Sequence, residues 1–313
     1  MRFAFTDEQL ELRDAVRDFF EKECPARVVR DAWSNESGRS GLWEQLGDLG
    51  VLGVLAPEAA GGLDGTYLDL VLLLEESGRA ALPEPLVEHA AVVVPALADP
   101  DAAARAAGGA MTATVGLPGS RFVPYADQAE LVFLDERVVA GDSLTFERED
   151  SVDGSRRLFS VGRGPFAMGG DPFDRGALGT AAQLLGLADH LLDVTVDYAK
   201  QRHQFGSPIG SFQAIKHKLA DVRLALEFAR PVVYRAAHSV AETDPDRGVH
   251  VSMAKAYASD AAALAARHAL QVHGAIGYSY EYDLHLWMKR IWALTASWGD
   301  AAWHRARVGR AIL

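Results

Sequence analysis

A guanidinium and an amide side chain flank a tight turn in the segment 201–222, and they are the first residues that could bind a ligand. Arg202 lies where one predicted helix ends, Gly206 and Pro208 mark a turn, and Gln213 lies in the first turn of the next helix. Such donors beside a helix N-terminus suit phosphate oxygens. An ordinary corner between two helices has the same pattern, so this segment alone leaves both interpretations open.

A second segment, 271–290, places a glutamine near a helix end and follows it with two glycines. Gln271 precedes Gly274 and Gly277, which permit a close backbone approach, and Lys289 and Arg290 lie on the next predicted helix. By itself this pattern equally describes a helix-terminating glycine followed by a second tight turn.

Familiar catalytic motifs do not account for either segment. The sequence at 162–167 imitates the dinucleotide fingerprint Gly-x-Gly-x-x-Ala, but Pro165 and Pro172 continue a loop where that fingerprint requires a helix. There is no phosphate-binding Gly-x-x-x-x-Gly-Lys-Ser/Thr loop, no His-Glu-x-x-His zinc motif and no Gly-x-Ser-x-Gly elbow. The single cysteine, Cys24, is interpreted as a small packed side chain.

The elements that must position these segments fall into three stretches. Helical periodicity dominates the first, short β-prone runs separated by glycine, proline and aspartate the second, and long alanine-rich helices with short links the third. Long helices with short links favour an antiparallel bundle. We therefore predict a mainly α fold with a small β domain: an N-terminal α-helical domain over 1–108, a reduced β middle domain over 109–172 and a C-terminal four-helix bundle over 173–313.

The prediction of individual elements follows from the same periodicity, with Thr6 as the N-cap of the first helix. Predicted helices cover 41–49, 68–80, 89–97, 176–200, 211–240, 249–276 and 282–296. Pro245, in the link before 249–276, suits the first position of that helix. Predicted strands cover 111–115, 130–134, 137–139 and 158–161.

Charge and composition narrow the classes of function. The chain has 313 residues and a net charge of −12, which makes it a poor candidate for binding nucleic acid. Residues 201–313 nevertheless carry a net charge of +5, which suits an anionic ligand. With one cysteine, a charged start and no run of about 20 apolar residues, we expect neither disulfide, signal peptide nor membrane span, and hence a cytoplasmic protein.

Together, the two segments resemble the acyl-CoA dehydrogenase family. Its Arg-x-x-Phe-Gly-x-x-Ile…Phe-Gln pattern is matched by Arg202, Phe205, Gly206, Ile209, Phe212 and Gln213. Its Gln-x-x-Gly-Gly-x-Gly-aromatic pattern is matched by Gln271, Gly274, Gly277 and Tyr278, with Ala275 in place of the second glycine. The stretches FAFTDEQLELRDAVRDFF and LGVLAPEAAGG are also similar to the family's opening helices and first turn.

The resemblance implies a flavoprotein that dehydrogenates an acyl-CoA thioester and passes electrons to an electron-transfer flavoprotein. In this family FAD lies at a subunit interface, and the two segments reach the cofactor seated in the neighbouring subunit. The implied FAD-binding residues are Arg202, Gln204, Phe205, Phe212, Gln213, Gln271, Gly274 and Ala275.

The sequence departs from the family at the catalytic base, which must be a carboxylate beside the substrate Cα. Trp298 occupies the usual position, 27 residues after Gln271, and Gly176 occupies the alternative position on the first bundle helix. Indole has no basic lone pair and glycine has no side chain. Asp300 and Asp174 lie near these positions, but a shift of one or two residues turns a helical side chain away, which leaves both as weak candidates.

The β unit also departs from the family's sequence pattern. Only Gly116–Ser120 echoes the family's flavin-contacting loop, and no tryptophan lies between Trp43 and Trp287. Parts that face a subunit's own flavin are thus missing, whereas parts that reach a neighbour's flavin remain. We therefore expect a shortened, non-catalytic subunit of a heteromeric acyl-CoA dehydrogenase, of the kind known from actinobacterial steroid oxidation. Two alternatives stay open: a homo-oligomeric enzyme with a relocated carboxylate base, and a helical scaffold or CoA-binding protein without redox chemistry.

Overall fold

The computed structural model describes residues 4–34, 40–135 and 137–313, with helices on both sides of a strand-rich middle section. The N-terminal section contains α1 to α5, at Asp7–Glu23, Ala26–Ser34, Trp43–Asp48, Tyr67–Arg79 and Pro100–Ala107. The middle section contains β1 to β6, at Ala113–Val115, Phe122–Pro124, Leu131–Leu134, Arg137–Ala140, Glu147–Glu149 and Leu158–Ser160. The C-terminal section contains α6 to α10, at Gly170–Gln201, Gln213–Ala241, Arg247–His273, Leu284–Ala296 and Ala301–Ile312.

The middle section forms two small sheets. One has the order β1-β3-β4, with β1 and β3 parallel, and the other has the order β2-β6-β5 and is antiparallel. A further two-residue ladder joins β7 (His203–Gln204) to β8 (Ser207–Pro208) between α6 and α7. The predicted class, mainly α with a small β unit, is confirmed, while the exact domain boundaries stay predictions.

Capping side chains define where the N-terminal helices begin. Thr6 and Gln9 exchange hydrogen bonds at the start of α1, over 3.2 Å to the Thr6 hydroxyl and 2.9 Å to the Gln9 amide oxygen. Thr66 and Asp69 form the equivalent capping box on α4. Since Leu70–Leu74 are all buried, α4 is a core helix, as its uninterrupted apolar run predicts.

The helix predicted over 89–97 is not a regular α-helix. The chain forms a π-helical segment at Val87–Val93 followed by a 3₁₀ turn at Val94–Ala96. Pro95 explains the change, because it has no N–H with which to bond the carbonyl four residues earlier. That carbonyl, on Ala91, accepts a hydrogen bond from the buried hydroxyl of Tyr67 instead.

Helix starts in the C-terminal section also differ from the prediction. Helix α6 begins at Gly170 and not at 176, so Pro172 lies in its first turn and not in a loop. The helix expected to begin at Ser211 begins at Gln213, because Ile209–Ser211 forms a 3₁₀ turn. Pro245, expected at the first position of a helix, lies in the preceding turn instead. There the Asp244 carboxylate accepts a hydrogen bond of 2.9 Å from the Asp246 amide and so delays the helix.

Helix α6 is the central element of the molecule, packing against α4, α7, α8 and α9. Its contact with α4 is unusually close at two glycines. A Cβ on Gly186 would lie 1.8 Å from the Glu75 carbonyl oxygen, and one on Gly78 would lie 2.1 Å from that of Gln183. Only glycine permits this separation of the two helix backbones.

A buried arginine on α9 joins all three sections. Arg290 forms an ion pair with Asp153 in the β5–β6 loop and donates to the Ser155 hydroxyl over 2.7 Å. It also donates to the Leu82 carbonyl, after α4, over 2.8 Å. Because each of these groups is buried, the arginine fixes the β unit against both helical bodies.

Candidate functional site

The two segments singled out in the sequence meet at one end of the helical bundle. Tyr198, in the last turn of α6, stacks on His273 at the end of α8, with ring centroids 4.2 Å apart. Arg202 lies four residues after Tyr198, and Gly274 directly follows His273. Helix α7 begins at the same end, so its free N–H groups add to the donors there.

All eight residues proposed to bind FAD are exposed at this end of the bundle, which we call the motif face. Phe205 is 93% exposed, at the tip of the β7–β8 turn, and forms an edge-to-face pair with Phe212. Its φ of 52° lies in the left-handed region, which is strained for a bulky side chain. The other members are also exposed: Arg202, Gln204, Gln213, Gln271, Gly274 and Ala275.

The polar side chains of the motif face have no hydrogen-bond partner of their own within the described part of the chain. This holds for the Arg202 guanidinium and for the amides of Gln204, Gln213 and Gln271. Donors that remain free next to a helix N-terminus fit a ligand rich in phosphate oxygens. FAD is such a ligand, and the residues present are therefore compatible with its binding.

The two positions proposed for the catalytic base face each other inside the bundle. The Trp298 side chain is 1% exposed, and its ring lies directly on Gly176. A Cβ built on Gly176 would lie 2.4–2.5 Å from three carbons of that ring. The indole thus fills the space that a side chain at 176 would need, and the indole N–H has no hydrogen-bond partner there.

A clamp of two side chains holds the turn that carries Trp298. The buried Lys255 ammonium donates to the carbonyls of Gly299 and Thr295, over 3.1 and 3.3 Å. His304 Nε2 donates to the Trp298 carbonyl over 2.8 Å, and its Nδ1 accepts from the Ser252 hydroxyl. Burial lowers the pKa of His304 to about 4 and that of Lys255 to about 7.

The two aspartates near the base positions have structural partners. Asp300 caps α10, where its carboxylate accepts a hydrogen bond of 2.8 Å from the Trp303 amide. Asp174 is buried and forms an ion pair with Arg307. Neither carboxylate is therefore free to act as a base in this arrangement.

The segment that echoes the family's flavin loop is packed against its own β unit. Phe166 lies so close to Gly116 that a Cβ there would be 2.6 Å from the ring. The Ser120 hydroxyl accepts from the Phe122 amide over 3.1 Å and donates to the Leu117 carbonyl over 2.9 Å. Its hydrogen-bonding capacity is thus largely used within the loop.

The residues that organise the site were not identified from the sequence. Tyr198 and His273 bring the two motifs together, and Lys255 and His304 hold the Trp298 turn. A lysine inside an alanine-rich helical stretch was the available signal, because an ammonium there requires several acceptors. Among the described residues, no helix combines the length and apolar character that crossing a membrane requires.

Comparison with known proteins agrees with this architecture. The acyl-CoA dehydrogenase N-terminal domain matches residues 6–99, and the acyl-CoA dehydrogenase C-terminal domain matches residues 162–313. The chain is 33% identical to the acyl-CoA dehydrogenase IpdE2 of Mycolicibacterium smegmatis over 294 residues, which cover 91% of this chain and 92% of that protein.

Two solved structures of paired proteins are also similar. A Tcur3481–Tcur3483 steroid acyl-CoA dehydrogenase variant matches with a TM-score of 0.86 and 26% identity, covering 98% of each chain. The ChsE4–ChsE5 complex of Mycobacterium tuberculosis matches in fold with a TM-score of 0.88 and 24% identity, covering 100% of this chain and 99% of that one. On the two domain matches and the identity to IpdE2, the chain belongs to the acyl-CoA dehydrogenase family.

Proposed function

We propose that this chain is the non-catalytic subunit of a heteromeric acyl-CoA dehydrogenase. Its motif face would complete an FAD site seated mainly in a partner subunit of the same family, and the partner would supply the carboxylate base. The observation that carries this proposal is the contact between Trp298 and Gly176, because it leaves no room for a base at either position.

The motif face supports the other half of the proposal. Its donors are exposed and point out of the chain, which is the arrangement expected of groups that serve a neighbour's cofactor. Arg202 would neutralise phosphate charge, and the glutamines would donate to phosphate or ring acceptors. Gly274, with a φ of 63° and nothing near its Cβ position, would let the ligand approach the backbone closely.

The separate roles proposed for the two subunits follow from the chemistry of acyl-CoA oxidation. Bound FAD supplies the acceptor for the β-hydride, and a carboxylate in the partner would remove the α-proton. This chain would bind and orient the cofactor across the interface. In its own bundle, the buried indole of Trp298 would keep acyl groups and water out of the space above Gly176.

The substrate and the electron acceptor are proposed from the relatives. Similarity to a steroid acyl-CoA dehydrogenase suggests a bulky, steroid-type CoA thioester as the substrate. An electron-transfer flavoprotein is proposed as the acceptor, and the cytoplasm as the location.

The test is to purify the chain alone and co-expressed with a candidate partner, a full-length family member from the same genome that retains the glutamate base. We expect the chain alone to carry little flavin, and the complex to carry FAD that is bleached by a steroid-type acyl-CoA. Stoichiometric FAD on the chain alone, reduced by an acyl-CoA, would contradict the proposal.

Two substitutions in the complex make the test sharper. Arg202→Ala should lower FAD affinity about tenfold or more, since a hydrogen bond to a charged group contributes about 1.5–3 kcal/mol. The exposed Arg310, at the far end of α10, provides a matched control in which Arg310→Ala leaves flavin content unchanged. Asp300→Asn keeps the helix cap, so turnover should persist; its loss would instead identify Asp300 as a relocated base.

A further inference from the structure

A groove of about 590 Å³ separates the N-terminal helices from the C-terminal bundle. One wall comes from the second half of α1, the start of α2 and the end of α4, and the other comes from α6 and the start of α9. We call it the α1–α9 groove. Apolar side chains form its floor, among them Phe20, Cys24, Leu191 and Trp287, all of which are buried.

Negative charge surrounds this apolar floor. Six carboxylates and two guanidinium groups line the groove: Glu21, Glu76, Asp193, Asp197, Glu281 and Asp283, with Arg17 and Arg79. Both arginines are already paired with lining carboxylates, Arg17 with Glu76 at 2.5 Å and Arg79 with Asp193 at 2.8 Å. The net charge of the residues that line the groove is therefore negative.

Two of the rim carboxylates form no ion pair within the described residues, although Glu21 lies near enough to Arg17 to help raise the pKa of that guanidinium. Glu21 is exposed on α1 and Glu281 is exposed just before α9, so they belong to opposite walls. A cation bound between them would gain two partners without breaking an existing ion pair. The CoA moiety carries phosphates that these carboxylates would repel, which disfavours this groove as the site of an acyl-CoA.

The floor also offers unused hydrogen-bonding groups. His190 stacks on Trp287 with ring centroids 4.0 Å apart, and the Trp287 indole donates to the Arg79 carbonyl over 2.9 Å. Neither nitrogen of His190 has a hydrogen bond within the described part of the chain. Burial lowers its pKa to about 4, so at neutral pH the ring offers one donor and one acceptor.

The groove adjoins the motif face. Tyr282, on its wall, contacts His273 with ring centroids 5.1 Å apart, and His273 directly precedes Gly274. A protein that covers the motif face could therefore extend a segment into the groove without crossing an intervening surface.

We propose that the α1–α9 groove receives a basic segment of the partner subunit. A lysine or arginine would lie between Glu21 and Glu281, and an apolar side chain beside it would pack on the floor formed by Phe20 and Trp287. The proposal rests on the proposed function for the partner's identity. It adds an interface element, separate from the cofactor, that would select a partner by charge.

The test reverses the rim charge and measures the affinity for the partner subunit. The double substitution Glu21→Lys/Glu281→Lys should weaken the complex about tenfold or more at low salt and flatten its dependence on salt. The matched control, Glu11→Lys/Glu242→Lys, changes the same net charge at exposed positions outside the groove and should retain the wild-type affinity.

The outcomes separate this proposal from the proposed function. Complexes of the charge-reversed variant that do form should still bind FAD, because the motif face is intact. Equal partner affinity in the two double variants would overturn the groove proposal and leave the heteromer in place. The absence of a complex with the wild-type chain would overturn both proposals.

If the charge-reversed variant does not fold, Glu21→Gln/Glu281→Gln should show a smaller loss of partner affinity. Stabilisation of the wild-type chain by spermidine, lost in Glu21→Gln/Glu281→Gln, would assign the groove to a small cation and also overturn the proposal.

Discussion

Lys255 is buried without a carboxylate in hydrogen-bonding contact, and its ammonium relies on a serine hydroxyl and two backbone carbonyls. Desolvation disfavours the charged form, which lowers the pKa from 10.5 to about 7. The clamp on the Trp298 turn thus depends on a side chain that is about half protonated near neutral pH.

This shift predicts how stability changes with pH. Between pH 7 and 10.5 the unfolded chain binds a proton at Lys255 that the folded chain has released, so the free energy of unfolding should rise with pH. The maximum slope is about 1.4 kcal/mol per pH unit. Denaturant unfolding of wild type and Lys255→Met, compared from pH 7 to 9.5, should show the rise only in wild type.

The exposed Lys200 on α6 supplies the control for this prediction. The difference between wild type and Lys200→Met should stay constant over the same range. A constant difference for Lys255→Met as well would mean that the buried ammonium keeps its charge in the folded state.

At the scale of the elements, the close approach of α4 and α6 depends on glycine. Gly186→Ala would place a methyl group 1.8 Å from the Glu75 carbonyl oxygen, so the helices must move apart. We expect a loss of about 1–3 kcal/mol in the free energy of unfolding, measured by denaturant titration.

Gly309→Ala is the comparison for this substitution, because Gly309 also lies in a helix but has nothing within 4 Å of its Cβ position. It should leave stability unchanged or raise it by about 0.5–1 kcal/mol. Equal effects at the two glycines would show that the approach of α4 to α6 adds no cost and that helix propensity alone determines the change in stability.

The helices and strands with a strong apolar period were the ones that the sequence could predict. Helix α4 and strand β3 were found within a residue or two of their bounds, because their apolar runs match their burial. Strand β5 was missed because Glu147–Glu149 is charged and lies at a sheet edge, where pairing needs no buried side chains. Helix α10 was missed because its arginines mask a short apolar stripe.

At the scale of the whole molecule, the three sections depend on Arg290. Arg290→Met would leave the Asp153 carboxylate, which is 0% exposed, without its counter-charge. We expect a loss of about 3–5 kcal/mol, with faster hydrogen exchange in the β unit than in α8.

The ion pair between Arg105 and Glu130 serves as the reference, since both side chains are half exposed. Arg105→Met should cost less than about 1 kcal/mol. A similarly small loss for Arg290→Met would show that packing, and not this buried pair, holds the β unit in place.

The candidate site was predictable in part, and the limit is physical. Motif spacing identified Arg202 and Gln271, because such donors must follow helix ends to reach a ligand. Counting along the chain also identified Trp298 and Gly176 as positions without a carboxylate. It could not show that they touch, because 122 residues separate them and only the packing of α6 beneath the α9–α10 turn brings them together.

The contact between Trp298 and Gly176 has a consequence for the order in which such a chain can change. While the indole is present, a glutamate at 176 has no space, so that substitution alone costs stability before it can confer activity. Shrinking the side chain at 298 must come first, and it opens a buried void that also costs stability. A carboxylate at position 176 therefore requires two paired substitutions, and each of them alone costs stability. The tryptophan thus opposes the gain of a carboxylate at 176, on the helix beneath it, for as long as the indole keeps its place.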